Sequence, residues 1–455
     1  MEALDRFFGI RAAGSSVRRE IIGGVTTFAT MSYIVFVQPT VLAACGMPFG
    51  SVLVATCLSA AAASILMGCL ARYPFALAPG MGENFLFAFT VCGAAAMGGM
   101  GFSWQAGLTI VLASGLIFLF LSLFGVREKL LEVLPGCLKN AIGPAIGLFI
   151  AFIGLQWGGI VVHSPATMVA LGSFRAGPAL ITVIGVLLIS ALVALRIRGG
   201  ILIGILVSCS LGLMFKVIPW PEQTLDLSFE TFFNLNVSEL AANWQQALLA
   251  IGLFFFLDLF DTVGTLVGVG NQAGFIDEHG NLPRAGRAFI SDAAGTCMGA
   301  LFGTSTVTSY IESATGVAAG ARTGLAAVVT GICFIGAIAL APVVHVVGQN
   351  IGPAFYGADS GVFVAMYPAV APALIVVGFL MMAPLRRINW DDVTESLPAF
   401  MTIAMMVFGY GITEGIAMGC ISFAAIKTAT GRFREVHPVM YGVAAALVLR
   451  YAFLR

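Results

Sequence analysis

Five carboxylates stand where a carboxylate is expensive. Glu83, Asp258, Asp261, Asp292 and Glu312 fall within or beside long apolar runs. At the centre of a membrane helix each costs about 2.5–3.5 kcal/mol on insertion scales, so such acids face a partner or a watery cavity. Asp258 and Asp261, in FFFLDLFDTVGTLVGV, are spaced i, i+3 and share one helical face. Two carboxylates that close compete for one charge, which suits a proton carrier. The plainer role, weightier for Asp261 than for Asp258, is to hold backbone or hydroxyl groups in place. Glu312 follows the hydroxyl-rich start of GTSTVTSYIESATGVAAG. A helix beginning near Ser309 puts it in the first turn, where a carboxylate complements the dipole. An opposing half-helix beginning near Gly82 carries Glu83 and Asn84 at its start. Asn84 offers two donors and an acceptor in one plane. Two such half-helix ends facing one another make a polar pocket. Phe85, Phe87 and Phe89 supply aromatic walls, lipid-facing packing being the plainer fate of any one of them.

The elements that hold these residues follow from composition. The chain has 455 residues, 59% hydrophobic and only 10% charged. A soluble surface needs about 25–35% charged residues, so a soluble globular protein is excluded, as is a disordered chain. The apolar runs are continuous over about 17–25 residues, as membrane helices require, and do not alternate as barrel strands do. A formal net charge of zero argues against a nucleic-acid surface. The nine cysteines include no CxxC pair and are read as small buried hydrophobes, with no disulfide framework, metal site or cofactor expected. The first 19 residues carry Arg6, Arg11, Arg18 and Arg19 and no apolar leader, so the first span is itself the membrane signal.

The runs read as about 14 transmembrane segments, followed by an extra hydrophobic segment at 437–454 that packs interfacially or peripherally, the alternative being that it crosses the membrane and puts the C-terminus outside. Alternate loops then collect the basic residues. One side gathers Lys and Arg from Arg6 to Arg434, including Arg127, Lys129, Arg322, Arg386 and Arg387, whereas the other holds only Arg175 and Lys216. Arg450 and Arg455 belong to the last run. This asymmetry gives a cytoplasmic N-terminus and makes Arg322 a topogenic cation. The third and tenth runs, YPFALAPGMGENFLFAF and GTSTVTSYIESATGVAAG, are interrupted by Pro, Gly and hydroxyl residues. They lie seven runs apart, and seven is odd, so the second block enters from the opposite side. That is an inverted repeat, and matching interrupted segments point to a transporter binding site. The stretch 219–243, with Glu222, Asp226, Glu230 and Glu239, reads as an acidic outer linker between the halves.

The segments GVTTFATMSYIVFVQPTVL, ALAPGMGEN, LFDTVGTLVGV, GTSTVTSYIESATGVAAGARTGL and APALIVVGFLM together resemble the nucleobase–cation symporter-2 superfamily, in its AzgA-like branch of adenine/guanine/hypoxanthine permeases. The resemblance runs from about residue 18 to 435. It implies an all-α polytopic membrane protein of the uracil-permease fold: a 7+7 inverted repeat whose broken third and tenth spans contain short strands. Residues 1–435 would form one transporter unit, with core spans from 20–125 and 244–344 and gate spans from 139–218 and 366–428. Residues 436–455 would be the extra C-terminal segment. It implies import of a purine nucleobase across the plasma (bacterial inner) membrane by proton symport, through an elevator-like motion and as a homodimer. By position in the motifs, it implies that Asn84, Asp258 and Glu312 contact substrate, with Asp261 an important neighbour that supports them. Glu83 departs from the commoner branch pattern GMGLN and, with Phe85, joins the substrate-binding candidates; an added acid there bears on base preference or coupling.

The chemistry of the residues agrees. A purine is flat, neutral and rich in ring N–H donors, which carboxylates accept, while an amide serves an acceptor edge. Protonation of Asp258 or Glu312 would relieve the cost of an empty charged pocket and link proton to substrate. Sodium suits carboxylates beside broken helices as well. An anion or other small-solute transporter on the same fold stands as the alternative, disfavoured by the acidic pocket. An intramembrane aspartyl hydrolase is a third reading, but its two acids should face each other from two helices, not share one. No enzyme activity is expected.

Overall fold

The computed structural model describes residues 2–94, 99–123, 135–164, 167–175, 177–221, 225–275, 282–352 and 365–453. Glu222, Arg127, Lys129 and Arg455 therefore lie outside the described residues. The fold is mostly helical. A short α1 (Glu2–Phe8) precedes α2 (Val17–Met31) and α3 (Ile34–Ala43), two helices that make one span jointed at Ser32 and Tyr33. Helix α4 (Phe49–Leu66) ends in π-helical turns and leads to strand β1 (Leu77–Pro79) and the short helix α5 (Met81–Phe85). There follow α6 (Trp104–Leu123), α7 (Gly136–Trp157), a surface hairpin of β2 (Val161–Ser164) and β3 (Met168–Leu171), α8 (Gly177–Ala194) and α9 (Gly200–Met214). The second half holds α10 (Val237–Ala242), α11 (Trp244–Ala273), α12 (Ala285–Phe302), β4 (Val307–Ser309), α13 (Ser313–Ala318), α14 (Gly324–Ala337) and α15 (Ala341–Val347). It closes with α16 (Ala371–Leu380), α17 (Val393–Phe408), α18 (Ile412–Ala429) and α19 (Pro438–Phe453).

Among the described residues, eight helical stretches are long and apolar enough to cross a membrane, and two more, α9 and α17, are shorter. The sequence runs outnumber these for physical reasons. The third and tenth runs fold as a strand plus a short helix. Helix α12 carries Arg287 and Asp292 and is less apolar than its neighbours, and α16 is cut to ten residues.

The helices pair in two sets. In one, α2, α4 and α14 pack together and α12 lies between α4 and α6. In the other, α7 packs on α16 and α17, α16 on α8, and α17 on α18. Each set has a seam where backbones touch. A Cβ on Gly324 would lie 1.9 Å from the carbonyl oxygen of Gly68, and one on Gly378 would lie 2.2 Å from that of Gly147. Small residues at such seams let membrane helices approach closely where the lipid supplies no hydrophobic drive.

Helix α19 stands upright against α18 and does not lie across its end. The Tyr441 hydroxyl meets Thr428 at 2.8 Å, and Tyr451 donates to Glu414 at the other end of α18. Met440 and Leu447 share an apolar cluster with Ala417, Cys420 and Phe423. This lengthwise packing on α18, a helix apolar enough to cross a membrane, fits peripheral placement and membrane crossing alike, and not a helix lying flat across the end of α18.

An ion cluster ties the start of α17 to the end of α18. Buried Lys427 reaches Glu435 at 2.7 Å, and Arg432 reaches Asp392 and Glu435, each at 2.7 Å. Asp392 also caps α17, accepting from the Thr394 N–H at 2.9 Å. The Arg432 guanidinium, then Lys427, pull the Glu435 carboxyl down to about 2, and Arg432 holds Asp392 well below the usual range. A depressed carboxylate stabilises the fold above its unfolded pKa and loses that contribution as pH falls through the folded value. Arg432→Ala should therefore lower the melting temperature in detergent at pH 7. That difference should shrink as pH falls from about 4.5 toward about 2, and a gap that does not change with pH would dismiss the cluster as a clamp.

Candidate functional site

The site is built where two broken spans cross. β1 and β4 run antiparallel, pairing Leu77 with Ser309, Ala78 with Thr308 and Pro79 with Val307. The Gly80 N–H to Thr306 (3.1 Å) and the Tyr310 N–H to Ala76 (2.9 Å) extend the ladder by a bond at each end. Backbone directions alternate along a strand. The Leu77 N–H points away from β4, to the Ser64 hydroxyl at 2.9 Å. Two residues on, Pro79 occupies a position whose missing N–H costs the ladder nothing.

Asp292 of α12 staples this crossing. Its Oδ1 accepts from the Ser309 N–H (2.9 Å) and hydroxyl (2.8 Å), and its Oδ2 from the Thr262 hydroxyl of α11 (2.6 Å). Asp258, also fully buried, turns toward α12 as well: the Thr296 hydroxyl lies 2.9 Å from its Oδ2. Asp261 differs. It is exposed, yet within electrostatic reach of Glu83, Asp292 and Glu312. Its exposure is therefore to a cleft among acids. The sequence reading gives Asp258 to substrate and Asp261 to support; the structure buries the first against α12 and opens the second.

Glu312 is half-buried. Helix α13 starts at Ser313, four residues later than expected, because Val307–Ser309 are taken by the ladder. Glu312 is the residue before that helix and makes no side-chain cap. Its carboxylate instead accepts from the Tyr33 hydroxyl at 2.8 Å, at the joint of the first span. Glu83 is buried and folds back over its own helix start: a Cβ on Gly80 would sit 2.3 Å from Glu83 Oε2, so a larger residue there would displace that carboxylate. Asn84 is fully buried; its Oδ1 accepts from the Ser305 hydroxyl, and its Nδ2 has no partner among the described residues. Phe85 is buried and stacks on Phe89 at 5.7 Å. Phe89 meets Trp157 and Tyr410 from the other helix set, so the rings form the boundary between the sets.

Several contributors escaped the sequence reading. Tyr33, Gln38, Thr296 and Ser305 carry ordinary polar groups, and only Gln38, a lone amide in IVFVQPTVLA, stands out in its run. Tyr410 sits in a turn with φ +50° and meets Phe89, Phe149 and Phe152. Glu20 is a further buried acid, in addition to Glu83, Asp258 and Asp292, accepting from the backbone N–H groups of Arg322 and Thr323 and so capping α14. Arg322 is more than topogenic: its guanidinium donates to the carbonyls of Val317 and Ala321 at the end of α13.

The chain matches the Permease family (Xan_ur_permease) over residues 18–418. It belongs to this family, the nucleobase–cation symporter-2 permeases. It is 44% identical over 470 residues to the guanine/hypoxanthine permease PbuG of Bacillus subtilis, covering 99% of each chain. It is 39% identical over 458 residues to the adenine permease AdeP of Escherichia coli, covering 99% of this chain and 96% of that one. Among solved structures, the transmembrane domain of the cyanobacterial bicarbonate transporter BicA superposes with a TM-score of 0.62 at 13% identity, covering 89% of this chain and 97% of that one. That likeness is one of fold. The permease is thus an integral membrane protein and not an enzyme.

Stability and transport should separate at this site. Asp292→Ala strands the N–H and hydroxyl of Ser309, at about 1–3 kcal/mol for each buried group, and should lower the melting temperature in detergent with no ligand added. Asp261→Asn should leave that temperature unchanged and abolish uptake. A melting temperature lost equally in both variants would make Asp261 a structural acid too.

Proposed function

We propose that this permease imports a purine nucleobase, namely adenine, guanine or hypoxanthine, across the plasma membrane by proton symport. The observation that carries the reading is the exposed carboxylate of Asp261 within electrostatic reach of Glu83 and Glu312. The names of the relatives, guanine/hypoxanthine and adenine permeases, support the cargo. Asn84 and Phe85 provide an amide and an aromatic wall, Asp261 and Glu312 accept ring N–H groups, and Glu83 adjusts the charge beside them. Asp258 backs the site through Thr296.

Three acids in one low-dielectric cleft repel one another when empty. A proton on Asp261 or Glu312 relieves that repulsion and lets a neutral base bind, so proton and base cross together. An anion would meet the same acids and be repelled. In this reading the spans count fourteen in a 7+7 inverted repeat. The N-terminus is cytoplasmic, and two copies form a homodimer in the lipid bilayer. The set built on α2, α4, α12 and α14 moves past the set built on α7, α16 and α17 in an elevator-like step, sliding on the Phe89–Tyr410 boundary.

Uptake of radiolabelled adenine, guanine, hypoxanthine, xanthine and uracil tests this in cells lacking their own base permeases, with and without a protonophore and with sodium replaced. Protonophore-sensitive uptake of at least one purine is expected. Asp261→Asn and Glu312→Gln should each reduce it at least about tenfold, a loss of about 1.4 kcal/mol or more. Uptake that follows sodium and ignores the protonophore would replace the proton in this scheme.

A further inference from the structure

Behind Asn84 runs a hydrogen-bonded relay whose direction decides what the site offers a base. It deepens the purine reading and rests on it. Gln38 comes from α3, Ser305 from the segment entering β4, and Asn84 from α5; all three are fully buried. The Gln38 side-chain nitrogen lies 2.8 Å from Thr304 Oγ1 and 3.1 Å from Ser305 Oγ, so its two hydrogens go to two hydroxyl oxygens, while its Oε1 has no partner among the described residues. A serine hydroxyl has one hydrogen to give. Ser305 accepts from Gln38 and gives that hydrogen to Asn84 Oδ1. An amide is planar, so anchoring Oδ1 on Ser305 fixes Nδ2 on the far side of the group. Among the described residues that Nδ2 has no acceptor. A buried donor without an acceptor is costly, and a ligand lone pair would remove the cost.

We propose that Gln38 and Ser305 are positioning residues that lock Asn84 as a hydrogen-bond donor to the base. The site then selects purines that present an acceptor at the edge facing Asn84. If the relay ran the other way, Ser305 would take a hydrogen from Asn84, and the same residue would present a carbonyl and prefer an N–H. Purines differ on this point: a six-position oxygen accepts, whereas a six-position amino group donates. The fold therefore sets base preference from a span that never needs to touch the base.

The test is binding of hypoxanthine, adenine and a set of deazapurines, each with one ring nitrogen replaced by C–H, to the purified full chain. Wild type should lose about tenfold or more in affinity on at least one replacement of an acceptor nitrogen or on exchange of the six-position oxygen for an amino group. Ser305→Ala and Gln38→Leu free the Asn84 amide to turn, and should shrink that discrimination to within about threefold. Ser305→Thr keeps the hydroxyl and should keep the discrimination. Gln38→Leu, at the far end of the relay, gives the same answer should Ser305→Ala fail to insert. Variants that weaken every ligand by one factor and keep the wild-type ranking overturn the relay alone, as does Ser305→Thr behaving like Ser305→Ala. Folded wild-type protein that binds no purine overturns the purine reading and the relay with it.

Discussion

Everything in this fold hangs on a crossing of two extended segments, each three residues long, inside a bundle of helices. Extended backbone in a bilayer has nowhere to place its donors and acceptors. Here β1 and β4 answer one another, and what they leave over goes to side chains: Ser64 takes Leu77, Ser313 takes the Ala76 N–H at 3.0 Å, and Asp292 takes Ser309. Asp292 matters most because it carries a charge and binds two elements at once. Its bonds to Thr262 and Ser309 add to the direct Thr262–Thr308 hydroxyl contact of 3.1 Å in tying α11 to β4, and so help to fix the acids of α11 relative to Glu312, which follows β4 by three residues.

The same constraint explains why the acids differ. A buried carboxylate bonded to hydroxyls or N–H groups of neighbouring elements, as Asp292 and Asp258 are, is built into the frame. Asp261, whose side chain is exposed, is not covered in this way. Glu312 lies between these cases, half-buried and held by one phenol. Glu83 is drawn back over Gly80, so its charge acts on the cleft from behind.

Much of this was legible in the sequence. Pro74, Pro79, Gly80 and Gly82 interrupt one run, and the hydroxyl series 304–309 interrupts another; both are where the chain becomes extended. The five acids stood out because apolar surroundings make any carboxylate conspicuous. Which of Asp258 and Asp261 opens to the cleft was not legible. Spacing i, i+3 puts both on one face, and only the packing of α12 decides which is covered. Hydroxyl partners such as Thr296 and Ser305 were equally hidden, since Ser and Thr are common in membrane helices and cost little there. Helix α19 was ambiguous because its length and apolarity suit a surface helix and an upright one alike. The line of contacts from Tyr441 to Tyr451 is a tertiary fact.

The two glycine seams carry a consequence for how such a protein adapts to temperature. At Gly68 against Gly324, and at Gly147 against Gly378, backbone meets backbone and there are no rotamers to freeze or release. Each helix set is therefore stiff on its inside whatever the thermal conditions. Rotameric freedom is concentrated instead in the rings between the sets, around Tyr410 and Phe89. A lineage moving to colder or hotter water has little to adjust at the seams, where any side chain collides with main chain. What stays open to substitution is the size and shape of those rings.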